Sequence, residues 1–214
     1  MKHVLLVLLP ALSLLSGCVT GTRTLEGLDV PTPAAAAKTA GTVYIAAVDD
    51  NRQFEQAPRS PSTPSVKGQL SQTDADELAT RIGRQRNGYG KAMGDVRLPA
   101  GVTVNDKMRE LLTAGLKSRG YEVVDQPAAD NTMTVDINKF WAWFSPGFFA
   151  VTYEAQLACE VVFNRPEGPL PLTFAGYGKN VGQVASNANW ELAYERAFDA
   201  FLENMNQTLH EHGL

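Results

Sequence analysis

The chain opens on an almost unbroken apolar block, Val4 to Leu15, behind the positive charge of Lys2. The block is too short to span a bilayer, which takes about 20 apolar residues, but it has the length and flanks of an export signal. From Val19 to Ala40 apolar periodicity disappears. Thr, Gly, Pro and Ala dominate, including Pro31-Thr32-Pro33 and Ala34 to Ala37, so the stretch reads as a flexible tether. Gly41 to Val48 is apolar on both faces, the pattern of a central strand, and Asp49-Asp50-Asn51 ends it. Arg52 to Gln72 is polar and broken by Pro58, Pro61 and Pro64, which predicts a long irregular loop.

A helical period returns at about Val104 to Ser118, where Val104, Met108, Leu111, Leu112 and Leu116 share a face. Thr103 with Asp106 three residues on is a weak capping-box form, and Gly120 is placed to stop the helix. Tyr121 to Val124 follows as a short strand, and strand–helix–strand in this order favours a parallel pair. Alternation is clearest beyond it. Met133, Val135 and Ile137 alternate with polar neighbours, and Val151, Tyr153, Ala155, Leu157, Cys159 and Val161 oppose Thr152, Glu154, Gln156 and Glu160. Arg165-Pro166-Glu167-Gly168 turns the chain into a third strand, Leu170 to Val181. A last helix, about Trp190 to Leu209, puts Trp190, Tyr194, Ala197, Phe201, Met205 and Leu209 on one face, widened by Ala193 and Phe198.

The fold expected is α+β: one mixed sheet built from β-α-β and a three-strand antiparallel meander, ending in a helix, with both helices packed on one face. The expected organisation is a signal peptide over 1–17, a lipidated cysteine with its tether over 18–40, and a periplasmic domain over 41–214. Within that domain about 50–100 forms a loop and hairpin insertion.

Composition narrows the partners. Net charge is −4 and the chain is 44% hydrophobic, enough for a core, while an acidic balance argues against nucleic acid. The apolar block ends in Leu15-Ser16-Gly17-Cys18, a lipobox pattern, in which small residues admit the signal peptidase and the cysteine thiol takes a diacylglyceryl group. Buried acyl chains, at about 0.8 kcal/mol per CH₂, make such an anchor durable. Val19, where Asp tends to retain lipoproteins on the inner membrane, favours the outer membrane, facing the periplasm. The second of the two cysteines, Cys159, has no internal partner once Cys18 is lipidated, and it reads as a small core hydrophobe.

The lipobox, Lys117-Ser118-Arg119-Gly120-Tyr121, the strand Val151-Thr152-Tyr153-Glu154-Ala155 and the helix entry Ala185-Ser186-Asn187 resemble the YajG-type family of small bacterial lipoproteins. The resemblance covers the signal and roughly Val104 to the C-terminus. It implies a periplasm-facing lipoprotein with a compact α+β domain, and it brings no reaction and no catalytic residues.

Candidate chemistry is sparse. The three histidines are His3 in the signal and His210 and His212 at the C-terminus, which leaves triads and zinc sites little to work with. No catalytic residue, metal or cofactor is expected, and an enzyme of unknown chemistry ranks third among the functions. Three features remain. Arg81, Arg84, Arg86 and Lys91 surround the hairpin signal Asn87-Gly88; they form either a solvated hairpin guarding an edge or an anion site. Glu191, Glu195, Asp199 and Glu203 recur every four residues on the last helix, as a solvated face or as a dock for those arginines. Phe140, Trp141, Trp143, Phe144, Phe148 and Phe149 crowd into ten positions. Strict alternation from Ile137 turns Trp141 and Trp143 inward, and a bulge near Lys139 would swap the sets. The two aromatics left on the wet face either meet the long loop or N-terminal segment, or form an exposed surface at the hairpin tip. The leading function is a membrane-anchored module that binds an envelope protein, and the alternative is a lipid or cell-wall ligand binder.

Overall fold

The structure, a computed structural model, describes residues 21–34, 36, 38–87, 89–127, 129–147, 150–183 and 186–214. Cys18, Phe148 and Phe149 lie outside the described residues. The elements are β1 Arg23–Thr24, β2 Gly41–Asp50, α1 Ala75–Thr80, β3 Arg81–Arg86, β4 Ala92–Arg97, α2 Val104–Ser118, β5 Tyr121–Val124, β6 Asn131–Pro146, β7 Val151–Arg165, β8 Gly168–Gly182 and α3 Asn187–Glu211. This is the expected α+β arrangement, with one mixed sheet and helices α2 and α3 feeding a single hydrophobic core.

The long strand β6 organises the sheet. One edge pairs along its whole length with β7, which pairs in turn with β8, the antiparallel meander that alternation predicts. The other edge is shared: its first half runs parallel to β2, up to Asp50 opposite Ile137, and its second half runs parallel to β3, with Arg84 opposite Trp143. β2 also pairs in parallel with β5, so the β-α-β unit forms as expected. The hairpin of β3 and β4, joined through the 87–91 turn, is therefore an integral part of the sheet rather than an insertion beside it.

Helix ends and faces follow from their residues. Thr103 and Asp106 form a full capping box, each bonding the other's backbone N–H. Val104, Met108, Leu111, Leu112 and Leu116 are buried, as are Trp190, Tyr194, Ala197, Phe198, Phe201, Met205 and Leu209. α3 lies directly on the backbone of β8, where the inward positions are glycines. A Cβ at Gly176 would stand 2.2 Å from the Ala197 carbonyl, and one at Gly178 would stand 2.1 Å from that of Ala193. Side chains there would push the helix off the sheet.

The tether expected over 18–40 does not hold from Gly21 onward. β1 adds to the edge of β4 in parallel, and Leu25 and Leu28 are buried in the core. Arg23 bonds Gln85 and Asn187, while Asn187 bonds the Thr24 carbonyl, tying the segment to β3 and to the start of α3. Two leucines three residues apart in a Thr/Gly/Pro-rich context are too sparse to produce a period. Their burial depends on tertiary neighbours.

Gly178→Val tests the helix–sheet contact. The added side chain meets helix backbone rather than a yielding side chain, so we expect a loss of about 3 kcal/mol in denaturant unfolding. An unchanged midpoint would mean that α3 does not ride on β8.

Candidate functional site

The sheet's outer face, opposite the helices, carries most of the residues that the sequence marks as candidates. Position on that face is set by a bulge. The β6–β7 register shifts between Ile137 and Lys139, so the swapped set is the one realised. Phe140, Ala142 and Phe144 join the core, where Phe140 stacks on Tyr194 at 5.4 Å and Phe144 meets Trp190 edge-on at 5.7 Å. Lys139, Trp141 and Trp143 take the outer face.

That face is covered there, which corrects the expected exposed aromatic surface: Phe140, Trp141, Trp143 and Phe144 are all buried. The cover is the proline-rich loop that follows β2. Trp141 donates its indole N–H to the Pro61 carbonyl at 3.2 Å and receives the edge of Phe54 at 5.9 Å. Lys139 reaches the Ser62 carbonyl at 2.7 Å, and burial lowers its pKa. Trp143 donates to Glu154 at 3.0 Å. An irregular loop gives no periodic signal, so its role as a lid over one sheet face is invisible in the pattern.

The arginines lie under the same loop. All six residues of β3 are buried, and β3 runs between β4 and β6, so its arginines neither stand in solvent nor guard an edge. Arg81 pairs with Glu77 and lies 3.8 Å from Asp95, which also accepts the Lys67 backbone N–H at 3.0 Å. Arg86 donates to the Pro58 carbonyl at 2.8 Å and to Ser65 at 3.2 Å. Arg84 is 6% exposed, with Asp95 at 4.0 Å, and its Nε and Nη1 make no hydrogen bond among the described residues. Burial lowers the pKa of both Arg84 and Arg86, opposed at Arg84 by Asp95. Lys91 stands apart from the three, exposed in the turn.

Arg52 was not singled out by the sequence, yet it holds this region together. It is buried, clamps Asp50 through Nε and Nη2 at 2.7 Å each, and donates to the carbonyls of Arg81 at 2.6 Å, Phe140 at 2.9 Å and Leu78 at 2.9 Å. Its guanidinium also sits 5.1 Å over the Phe54 ring. The signal that could have found it is the Asp50–Arg52 spacing at the end of a strand, which is common in loops and carries little weight alone.

The other candidates have plain structural roles. Glu191 accepts the Gly27 N–H at 3.2 Å, while Glu195, Asp199 and Glu203 face solvent on the helix side of the sheet, away from the arginines. Cys159 is free and buried, with its thiol pushed up to about 12 by desolvation, so it behaves as the core hydrophobe expected. A groove of about 520 Å³ lies between Pro31-Thr32 and α2, but Asp106, Lys107 and Glu110 on its wall are engaged in the cap and an ion pair. Among the described residues no group of three or more His, Cys, Asp and Glu could hold a metal, and no helix is long and apolar enough to cross a membrane.

Of the charged candidates on this face, Arg81 and Arg86 are engaged by the domain's own packing, Arg84 keeps two donors unspent, and Lys91 is exposed. A family model described as uncharacterized lipoprotein matches residues 78–209, and the chain belongs to that family, the YajG lipoproteins. A DUF330-family crystal structure from Xanthomonas campestris is 14% identical, with 90% of this chain and 96% of that one covered and a TM-score of 0.48. A second structure, of an uncharacterized protein, is 11% identical over 87% and 97% of the two chains, with a TM-score of 0.43. No curated protein matches the chain.

Arg52→Ala tests the organisation of the covered face. It strands two buried carbonyls, the half-buried Leu78 carbonyl and the Asp50 carboxylate, so we expect a loss on the order of 3–5 kcal/mol, with faster amide exchange at the β2–β6–β3 junction. Wild-type exchange at that junction would show that Arg52 is decoration.

Proposed function

We propose that this lipoprotein is anchored through acyl chains on Cys18 to the outer membrane, faces the periplasm, and acts without chemistry of its own by binding an envelope protein. The observation behind the binding reading is a set of exposed apolar side chains on the outer sheet face. On the β7–β8 hairpin, Val162 is 40% exposed, Tyr177 48% and Val181 59%; all three point outward, amid Thr173, Ala175 and Lys179. They are the large exposed apolar residues of the described strands. All three stand on one face of the hairpin, where a partner laid along the strands would cover them together. Tyr177 keeps its proton at neutral pH: its pKa is raised to about 12 by desolvation and by its 2.6 Å bond to Glu154, so it meets a partner as a fixed, uncharged ring.

A second reading has its own observation. Arg84 is a buried guanidinium with unspent donors, which suits a phosphate or carboxylate head group reached by lifting the loop. Raised melting temperature in phosphate, lost in Arg84→Leu, would favour it over the protein-partner reading.

Cys18→Ser should abolish membrane retention, and Val19→Asp should move the protein toward the inner membrane in density-gradient fractions; retention of the serine variant would defeat the anchor. Val162→Ser with Tyr177→Ser should fold normally and lose a discrete band in crosslinked envelopes. An unaltered crosslinking pattern would defeat the binding face.

A further inference from the structure

The packed N-terminal segment fixes where the anchor enters the domain. β1 runs parallel to β4 with Arg23 opposite Val96, and Gly21 donates to the Met93 carbonyl at 3.1 Å. Followed backward from Arg23, the chain therefore runs toward Ala92 and the 87–91 turn. Gly94 makes this approach possible: a Cβ there would stand 1.8 Å from the Gly21 carbonyl. Leu25 and Leu28, buried in the core, prevent the segment from peeling away cheaply. Only Val19 and Thr20 separate Gly21 from Cys18. Three residue steps reach at most about 11 Å, and the headgroup layer on one side of a bilayer is about 5–8 Å thick. Gly21 then stands no more than a few ångströms above the headgroups.

We infer that the domain stands on its own membrane by this end, with the 87–91 turn at the headgroup surface; the inference rests on acylation of Cys18. The strand registers gather one set of connections here. β3 is parallel to β6, Pro146 faces Val151 across the β6–β7 turn, and Val151 faces Gly182. The sequence of these connections is nearly free of charge: 87–93, 145–151 and 180–190 contain Lys91 and no other charged residue. The opposite end, where Arg165 faces Gly168 and Gly41 faces Tyr121, carries Lys38, Arg119, Glu122, Asp125, Asp130, Arg165 and Glu167 in its connections. Pressing the second end against a bilayer would strip water from many charged groups, whereas the first end brings a single lysine. Tyr89 is 98% exposed at the turn, and a Tyr two residues from a Lys suits the interface, with the ring among headgroups and the ammonium near lipid phosphates.

The test uses the full-length mature protein as bacterial cells process it, mixed with vesicles of phosphatidylethanolamine and phosphatidylglycerol. Tyr89→Cys, Gln183→Cys and Glu167→Cys each supply one reactive thiol for an environment-sensitive dye. Lipid blocks Cys18, and the buried Cys159 thiol, pushed up to about 12, stays unlabelled. Headgroup-quencher lipids should quench positions 89 and 183 several-fold more than position 167, which lies about 45 Å away along β7. Protein that floats with the vesicles but quenches equally at the three positions overturns the orientation and leaves the anchor standing. Protein that fails to float refutes the acylation of Cys18 and takes the orientation with it.

Discussion

The structure depends on how β6 changes partner along one edge. β2 leaves that edge at Asp50 and β3 takes it up at Gly83, so the strand carries a gap opposite Phe140. A carbonyl in such a gap, buried and unpaired, costs on the order of 1–3 kcal/mol. Arg52 closes it from outside the sheet, and the same guanidinium bonds the Arg81 carbonyl at the start of β3. The bulge between Ile137 and Lys139 falls at the same place. It turns the strand by one position, so phenylalanines enter the core and tryptophans turn to the loop. Core composition and outer cover are thus decided by one irregular step and the residue that satisfies it.

Burying this much charge needs compensation. Arg52 has a bidentate carboxylate and three carbonyls, and Arg81 has two carboxylates nearby. Compensation is incomplete: Arg81 and Arg84 share Asp95 and each keep two buried donor atoms without a hydrogen bond, and Arg86 keeps one. Replacing such clusters with apolar residues is often neutral or stabilising, so stability alone does not explain them. Their effect is directional: Arg86 holds the loop through the Pro58 carbonyl and Ser65, while Arg52 ties the residues after β2 to the carbonyls of Leu78, Arg81 and Phe140.

What the sequence made legible was whatever packs with a period. α2 and α3 announced their faces, and β6 to β8 announced their alternation, because each buries one side against a regular partner. β3 defeated the same logic. Arg81-Ile82-Gly83-Arg84-Gln85-Arg86 reads as a solvated hairpin arm, yet every residue is buried, because its outer face is covered by an irregular loop and its ends by neighbouring strands. β1 was lost to composition, since two leucines among Thr, Gly and Pro are judged by their neighbours. The aromatic run announced a departure from simple alternation, and the bulge was foreseeable from Lys139. Which side would be covered was not, since that depends on contacts 80 residues apart in sequence, such as Trp141 with Pro61.

Sheet edges decide how such a molecule can meet others. β8 has a free edge, normally an invitation to strand addition. Here α3 overlaps it: Asn204 accepts the outward N–H of Ala175, and Arg196 donates to the outward carbonyl of Lys179. That overlap is possible because Gly176 and Gly178 let the helix down onto the strand. The remaining edges are short, four residues in β5 and two in β1. With backbone pairing blocked along the longest edge, contact falls to side chains on a face. The loop covers part of the outer face and the helices cover the inner one, so open side-chain surface remains on the outer face, polar at Thr134, Asp136 and Asn138 and more apolar at Val162, Tyr177 and Val181. The glycines that seat α3 therefore do more than pack the core, because they let the helix close the edge.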